Sequence, residues 1–360
     1  MGFRDKILHL ISGDPVSVGL DIGSHSVKIV KVAHTSNGPL LLSAGIHVFK
    51  EGTIEGGEIK NRDELINAIT SLVNRADTSG KIRQVNFALS WSHGVVADRI
   101  HLRSIKGQPD EELILTEAGR HSPFDVEDIQ LDYKILKKDP KSSEMEVLLV
   151  AAKNQVMQPF LSLLQDAGLE AINVDVDTFA IANAYLFSAN PQDEEKVICL
   201  ANIGQNVTNL TFITNGTYHS TRDVSTAGSY FVHSLEKELG INTAEAVAVL
   251  KNGAEASGNP DAYLRAIEEG AEELSVGLDL AFSYFQSSDS NLEIDKLLIS
   301  GGGACIDGLA ELLSHRHNIP VEILDPFAQI KCDPKKFKEA IPLDISTTLT
   351  VSAGLAFRKF

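Results

Sequence analysis

Two segments half a chain apart carry the same pattern, and this repeat constrains the fold more than any other feature of the sequence. The apolar-rich run Val16 to Ile22 passes through Asp21-Ile22-Gly23-Ser24-His25-Ser26 into a second run, Val27 to Val32. The run Val197 to Ile203 passes in the same way through Asn202-Ile203-Gly204-Gln205-Asn206-Val207-Thr208 into Asn209 to Thr214. Short apolar runs joined by a glycine turn of small polar residues predict a β-hairpin in each place. Such turns align backbone N–H groups as an anion-binding concavity, and glycine removes the Cβ that would hold a phosphate away. Two of them facing each other would grip a polyphosphate from both sides, which calls for two lobes and a cleft.

A third element adds to this pattern. Leu297-Leu298-Ile299-Ser300 is an apolar strand that runs into Gly301-Gly302-Gly303-Ala304 and then a helix. Three glycines permit close approach of an adenine or ribose, and a helix N-terminus favours a phosphate. Lys28 lies seven residues past Asp21 on the partner strand, where its ammonium reaches toward bound phosphates. Asp21 would hold the waters around Mg²⁺, an ion that usually keeps several of them.

With 360 residues the chain exceeds the roughly 250–300 at which one core stops growing, so several subdomains are expected. The patterning divides it into an N-terminal segment, 1–15; a first lobe, 16–94 and 175–195; an inserted small α+β unit, 95–174; a second lobe, 196–229 and 288–360; and a helix-rich part of that lobe, 230–287. Asn190-Pro191-Gln192-Asp193-Glu194-Glu195 reads as a polar linker between the lobes. Phe3 to Ile11 mixes apolar and charged residues, which fits a disordered or docked terminus and, as the second reading, a short amphipathic helix at a membrane surface.

Charge and composition exclude several classes. A formal charge of −17 repels a nucleic-acid backbone, and no basic stripe offsets it. The three cysteines, Cys199, Cys305 and Cys332, are scattered without metal or redox spacing, which suits a reducing cytoplasm. No window approaches the 18 or so apolar residues of a membrane span. His315-Arg316-His317 lacks further ligands at metal spacing, Trp91 beside His93 reads as packing or interface, and Glu268, Glu269, Glu272 and Glu273 read as a solvated helix face.

Two phosphate hairpins and a glycine-rich turn, in this order over nearly the whole chain, resemble the actin-like ATPase superfamily of actin, sugar kinases, heat-shock chaperone ATPases and FtsA. Within it the chain is most similar to the PilM family of type IV pilus assembly proteins. The strings that carry this likeness are Pro123-Phe124-Asp125-Val126-Glu127-Asp128 followed by Asp132-Tyr133, Val147 to Lys153, and Val174-Asp175-Val176-Asp177-Thr178-Phe179-Ala180. The resemblance implies an α/β, ribonuclease H-like, two-lobed ATPase fold with an inserted FtsA/PilM-type subdomain. It implies ATP or ADP with Mg²⁺ at Asp21, Gly23 to Ser26, Lys28, Asn202, Gly204 to Asn206, Thr208, Lys251 and Gly301 to Ala304, with Asp21 and Asp177 near the chemistry.

The partners it implies are the cytoplasmic N-terminal peptide of a PilN-like membrane protein, bound in a groove beside the inserted subdomain, and pilus motor ATPases. The expected place is the inner face of the inner membrane, and the expected role a scaffold for twitching pili. Three positions depart from the family pattern. Asn202 stands where the second hairpin has aspartate, Ala248 where the ribose-contacting helix has glutamate, and Ser122 where the inserted unit has isoleucine. The first two, in the nucleotide site, predict slow or no hydrolysis, while Asp21, Lys28 and the glycine turns still predict nucleotide binding. Alternatives on the same fold are a GspL-like secretion scaffold, an FtsA-like division protein and a small-molecule kinase. The kinase lacks a motif for an acceptor base, and the sequence ends at Phe360 without the appended helix expected of an FtsA-like anchor.

Overall fold

The computed structural model describes residues 15–358, apart from 79, 91–93, 106, 108, 122, 140–141, 289–291, 335 and 338. Phe3 to Ile11, Trp91, His93 and Ser122 therefore lie outside the described residues. The first hairpin is β1 (Val16–Ile22) and β2 (Ser26–Thr35), registered so that Asp21 faces Lys28 across the pair. β3 (Gly38–Val48) extends it, followed by a two-residue hairpin of β4 (Ile54–Glu55) and β5 (Glu58–Ile59). Helix α1 (Arg62–Ala76) starts where the Asn61 side chain accepts the Glu64 N–H at 3.1 Å, and it buries Leu65, Ala68, Ile69, Leu72, Val73 and Ala76. That three-and-four spacing makes one apolar stripe, which is what seats the helix on the sheet. β6 (Gln84–Leu89) then pairs parallel with β1.

The inserted unit holds β7 (Val95–Arg103), α2 (Asp110–His121), β8 (Ile129–Lys138) and β9 (Glu144–Lys153), with strand order β7-β9-β8. Its core is its own: Ile100, Leu113, Ile114, Ala118, Met145, Val147 and Leu149. The expected boundary at 174 is too late. Helix α3 (Asn154–Asp166) and β10 (Glu170–Val176) belong to the first lobe, because Met157, Leu163, Leu164 and Leu169 bury among its core residues and β10 pairs parallel with β6.

Helix α4 (Asp177–Ser188) leads to the second lobe, where β11 (Val197–Ile203), β12 (Thr208–Thr214), β13 (Thr217–Val224), β14 (Lys296–Ser300) and β15 (Val321–Ile323) form a sheet ordered β13-β12-β11-β14-β15. Packed on it are α5 (Gly228–Leu239), α6 (Thr243–Asn252), α7 (Pro260–Ser288) and α8 (Leu309–His317). Its main core draws only on residues between 197 and 323.

A second boundary also moves. β16 (Lys331–Cys332) pairs parallel with β3, so the first sheet reads β10-β6-β1-β2-β3-β16, and α9 (Leu343–Thr348) precedes α10 (Thr350–Phe357), which lies on β1. The last thirty or so described residues thus return to the first lobe instead of completing the second. Leu349, Ala353, Ala356 and Phe357 bury against Val30, Val32 and Leu41, which is the apolar area that draws them back. The approach is close: a Cβ on Gly354 would sit 1.7 Å from the Ala180 carbonyl oxygen of α4, and one on Gly19 2.0 Å from that of Ser352.

The segment expected to be a solvated linker contains a buried carboxylate. Asp193 accepts from Lys196 at 2.6 Å and from Lys296 at 3.0 Å, and Lys296 is itself buried. Burial works against the Asp193 carboxylate, but hydrogen bonds from the two lysines outweigh it and hold its pKa below the ordinary value. A depressed carboxylate stabilises the fold fully above the unfolded value, about pH 4, and loses that contribution as pH falls through the folded one. Lys296→Met, which leaves Asp193 with Lys196 alone, is expected to cost about 1.5–3 kcal/mol in urea unfolding at pH 7, the worth of one hydrogen bond to a charged group, and less at pH 3. An equal loss at both pH values would show that the pair contributes through shape instead of charge.

Candidate functional site

The two hairpin turns and the third glycine turn line one cleft of about 760 Å³ between the lobes, in which Gly23, Gly204 and Gly302 all appear. The first hairpin brings Asp21, Ser24, His25, Ser26 and Lys28 to it, and the second brings Asn202, Gln205 and Asn206. Lys251 of α6 and Asp177 at the start of α4 reach the same space. The register of β1 on β2 dictates the closest charged contact: Lys28 Nζ donates to Asp21 Oδ2 at 3.0 Å, with side chains 14% and 13% exposed. Burial of the turn, and then the Lys28 ammonium, push the His25 imidazole below its usual value, so it is neutral at pH 7.

The turns differ from the sequence expectation in detail. The glycine amides themselves close the turns, Gly23 N–H donating to the Ser26 carbonyl at 3.0 Å and Gly204 N–H to that of Val207 at 3.1 Å. The amides of Ser24, His25, Gln205 and Asn206 take no part in those closures. An anion would therefore meet the amides after each glycine. Behind the second turn, Gly228 at the start of α5 lines the cleft and donates its N–H to the Gly204 carbonyl at 2.9 Å.

Three expected residues serve other purposes. Thr208 is fully buried and donates its hydroxyl to the Thr226 carbonyl at 2.7 Å, which ties the second hairpin to the start of α5. Gly301 is absent from the cleft lining; its φ of +83° and a Cβ position 2.7 Å from Asn202 Oδ1 make it a tight joint beneath the site. Ala304 is buried behind Gly302 and Gly303. The helix expected directly after the glycines starts only at Leu309, so no helix N-terminus stands at that turn.

Asp177 does not cap α4, whose N-cap is Val176; its Oδ1 accepts the Thr178 N–H at 2.7 Å. Asp175, close to it in sequence, lies off the cleft and accepts from Arg358 at 2.7 Å, while burial raises its pKa. His317 Nδ1 lies 3.2 Å from Asp279, and among the described residues no His, Cys, Asp or Glu group is arranged to hold a metal.

Sequence reasoning missed most of the apolar lining. Val247 and Leu250 of α6 face the cleft beside Lys251, and Ile345 and Thr348 of α9 face it from the returning C-terminal segment. Val247 remains 45% exposed and Ile345 39%. The available signal was the i, i+4 spacing of Val247 and Lys251, which puts both on one helix face. On the first-lobe wall the cleft is lined by Ile54, Phe87, Leu89, Val156 and Phe160, next to the inserted unit.

Comparison with known proteins places this geometry in a family. The family model described as type IV pilus assembly protein PilM matches residues 19–360. A solved PilM–PilN type IV pilus biogenesis complex contains a chain 24% identical to this one, with a TM-score of 0.80 over 94% of this chain and 97% of that chain. The ethanolamine utilization protein EutJ from Carboxydothermus hydrogenoformans is 15% identical, with a TM-score of 0.56 over 95% of this chain and 89% of that one. Two lobes, each opening with a glycine-turn hairpin and flanking one cleft, make an actin-like fold. With a family model covering residues 19–360 of that fold, the chain belongs to the PilM family of type IV pilus assembly proteins.

Proposed function

We propose that this protein is a nucleotide-responsive scaffold of pilus assembly, holding ATP or ADP in the interlobe cleft and the cytoplasmic N-terminal peptide of a PilN-like membrane protein beside the inserted unit. The observation that carries this reading is the meeting of both hairpin turns, Gly302 and the Asp21–Lys28 pair in one cleft. A Cβ at Gly302 would meet nothing within 4 Å, so the glycine leaves open space there, as a ligand needs. Val247 and Leu250 offer an apolar face for a base, Lys251 a cation near a ribose, and the post-glycine amides with Lys28 a seat for phosphates. Asp21 would hold Mg²⁺ through water, with the Asn202 amide as a weaker second group.

Among the described residues no helix is long and apolar enough to cross a membrane. The tail of a membrane partner would bring the protein to the inner face of the inner membrane, where pilus motor ATPases are further candidate partners. A nucleotide that binds both lobes fixes their angle, and only a difference in affinity between open and closed forms lets it set the affinity for a peptide.

Calorimetry with a synthetic peptide copied from the N-terminus of the cognate PilN-like protein tests the reading, with and without ATP. Heat is expected, with the affinity reduced at least about tenfold by Phe160→Asp, on the first-lobe wall of the cleft next to the inserted unit. No heat at high peptide concentration in either condition would remove the scaffold reading. For the nucleotide, slow turnover is expected, because Asn202 stands where a carboxylate would steady the metal, and lost outer groups of this kind cost about 10- to 100-fold. Asn202→Asp should raise steady-state hydrolysis; rapid turnover that this change abolishes would show Asn202 to be suited to the chemistry.

A further inference from the structure

We propose that the outer face of α7 is a self-association surface, through which two copies of this chain pair antiparallel about Leu280. Val276, Leu280 and Tyr284 are 57%, 74% and 59% exposed and lie four residues apart, so they form one apolar stripe over two helical turns. The opposite face of the helix already fills the second-lobe core with Leu274, Leu278, Ala281 and Phe285. The stripe therefore contributes nothing to that core, and a contiguous exposed apolar strip marks an interaction site.

The charges around the stripe select its occupant. α7 packs close on the edge strand β13, where a Cβ on Gly277 would meet Val224 Cγ1 at 2.2 Å. This contact brings Arg222 of β13 over the Tyr284 ring, 4.0 Å from its centroid. The stripe is thus basic beside Tyr284 and acidic one turn before Val276, where Glu272 and Glu273 are exposed. A two-fold axis at Leu280 sets Tyr284 of one copy on Val276 of the other, and Arg222, beside Tyr284, within one helical turn of Glu273 of the other, which faces position 287. A parallel pair would set the acidic residues on each other, at a cost. The two ends of the patch complement each other, as an isologous interface requires. Three apolar side chains per copy fall well short of the roughly 800 Å² per partner of a standard interface, so the dimer is weak and responds to local crowding of the protein.

Sedimentation velocity of the full chain over a concentration series tests this, together with oxidative crosslinking. The expected result is reversible dimerisation, weakened at least about tenfold by Leu280→Arg. Arg222→Glu and Glu273→Arg should each weaken it, and the two together should restore it. Leu280→Cys should crosslink to itself under mild oxidation, since a residue on the axis meets its own copy, while Glu268→Cys, three turns away, should not. These positions are exposed or at the rim, so thermal unfolding of each variant should match the parent protein. A monomer at all concentrations, a dimer indifferent to Leu280→Arg, or a crosslink of equal yield in the parent protein would overturn the proposal, as would a monomer whose stripe is covered by a different protein.

Discussion

Gly354→Val is expected to leave no soluble, cooperatively folding protein, and Gly354→Ala to cost more than about 4 kcal/mol. The added Cβ would stand 1.7 Å from the Ala180 carbonyl oxygen and 2.6 Å from its carbon, both backbone atoms inside a helix. A flexible side chain moves aside, but here α10 as a whole must leave α4. That movement would open the layer of Ala180, Ile181, Val351 and Leu355 that joins the lobes and pull Ala353 and Phe357 out of their seat. Losses above 4 kcal/mol are a large part of a total near 5–15 kcal/mol. Urea unfolding of G354A measures the effect, with Gly302→Ala as the control, since a Cβ there meets nothing. A G354A midpoint close to that of the parent would show that the helices separate cheaply and that the close approach carries no stability.

Lys28→Met is expected to raise the dissociation constant for ATP about 10- to 100-fold. A charge-assisted hydrogen bond to a phosphate contributes about 1.5–3 kcal/mol, and each 1.4 kcal/mol is a factor of ten. The protein carries a formal charge of −17, so a polyphosphate depends on local cations in the cleft. The substitution also strands Asp21, which is only 13% exposed at its side chain, and removing one partner of a buried pair costs about 3–5 kcal/mol. Stability and binding are separated by adding Asp21→Asn, which removes the stranded charge. The double variant should regain its unfolding midpoint without regaining the ATP-induced rise in melting temperature. A double variant that binds ATP as the parent does would show that the phosphates do not sit at this hairpin.

Much of the site was legible because its residues are written in order along strands. Asp21 to Lys28 is a single hairpin, and alternation plus glycine fixes where each side chain goes. Thr208 was misread because a threonine after a turn looks the same whether it faces a ligand or ties down the next helix; only the nearness of the Thr226 carbonyl decides. Val247, Leu250 and Ile345 were missed because an apolar residue on an amphipathic helix reads as core until the facing lobe is known. The domain edges failed for a similar reason. Local pattern identifies β10 as extended but not the two-residue β16, and which sheet accepts either depends on pairing with β6 and β3, more than 70 and 280 residues away. Asp193 reads as solvated linker unless Lys296, some hundred residues later, is known to meet it.

The return of the C-terminal segment to the first lobe also bears on the order of biosynthesis. Chains usually acquire structure from the N-terminus as they leave the ribosome. Here the earlier lobe must wait: β1 and β2 lack α10, and β3 lacks β16, until residues beyond 330 have emerged. The later lobe depends less on that segment, since its main core closes with residues 197 to 323 and only its face toward the first lobe waits for Val351 and Leu355. A nascent chain stalled with residue 325 just outside the exit tunnel should therefore carry a protease-resistant second lobe tethered to a first lobe that is still open on one face.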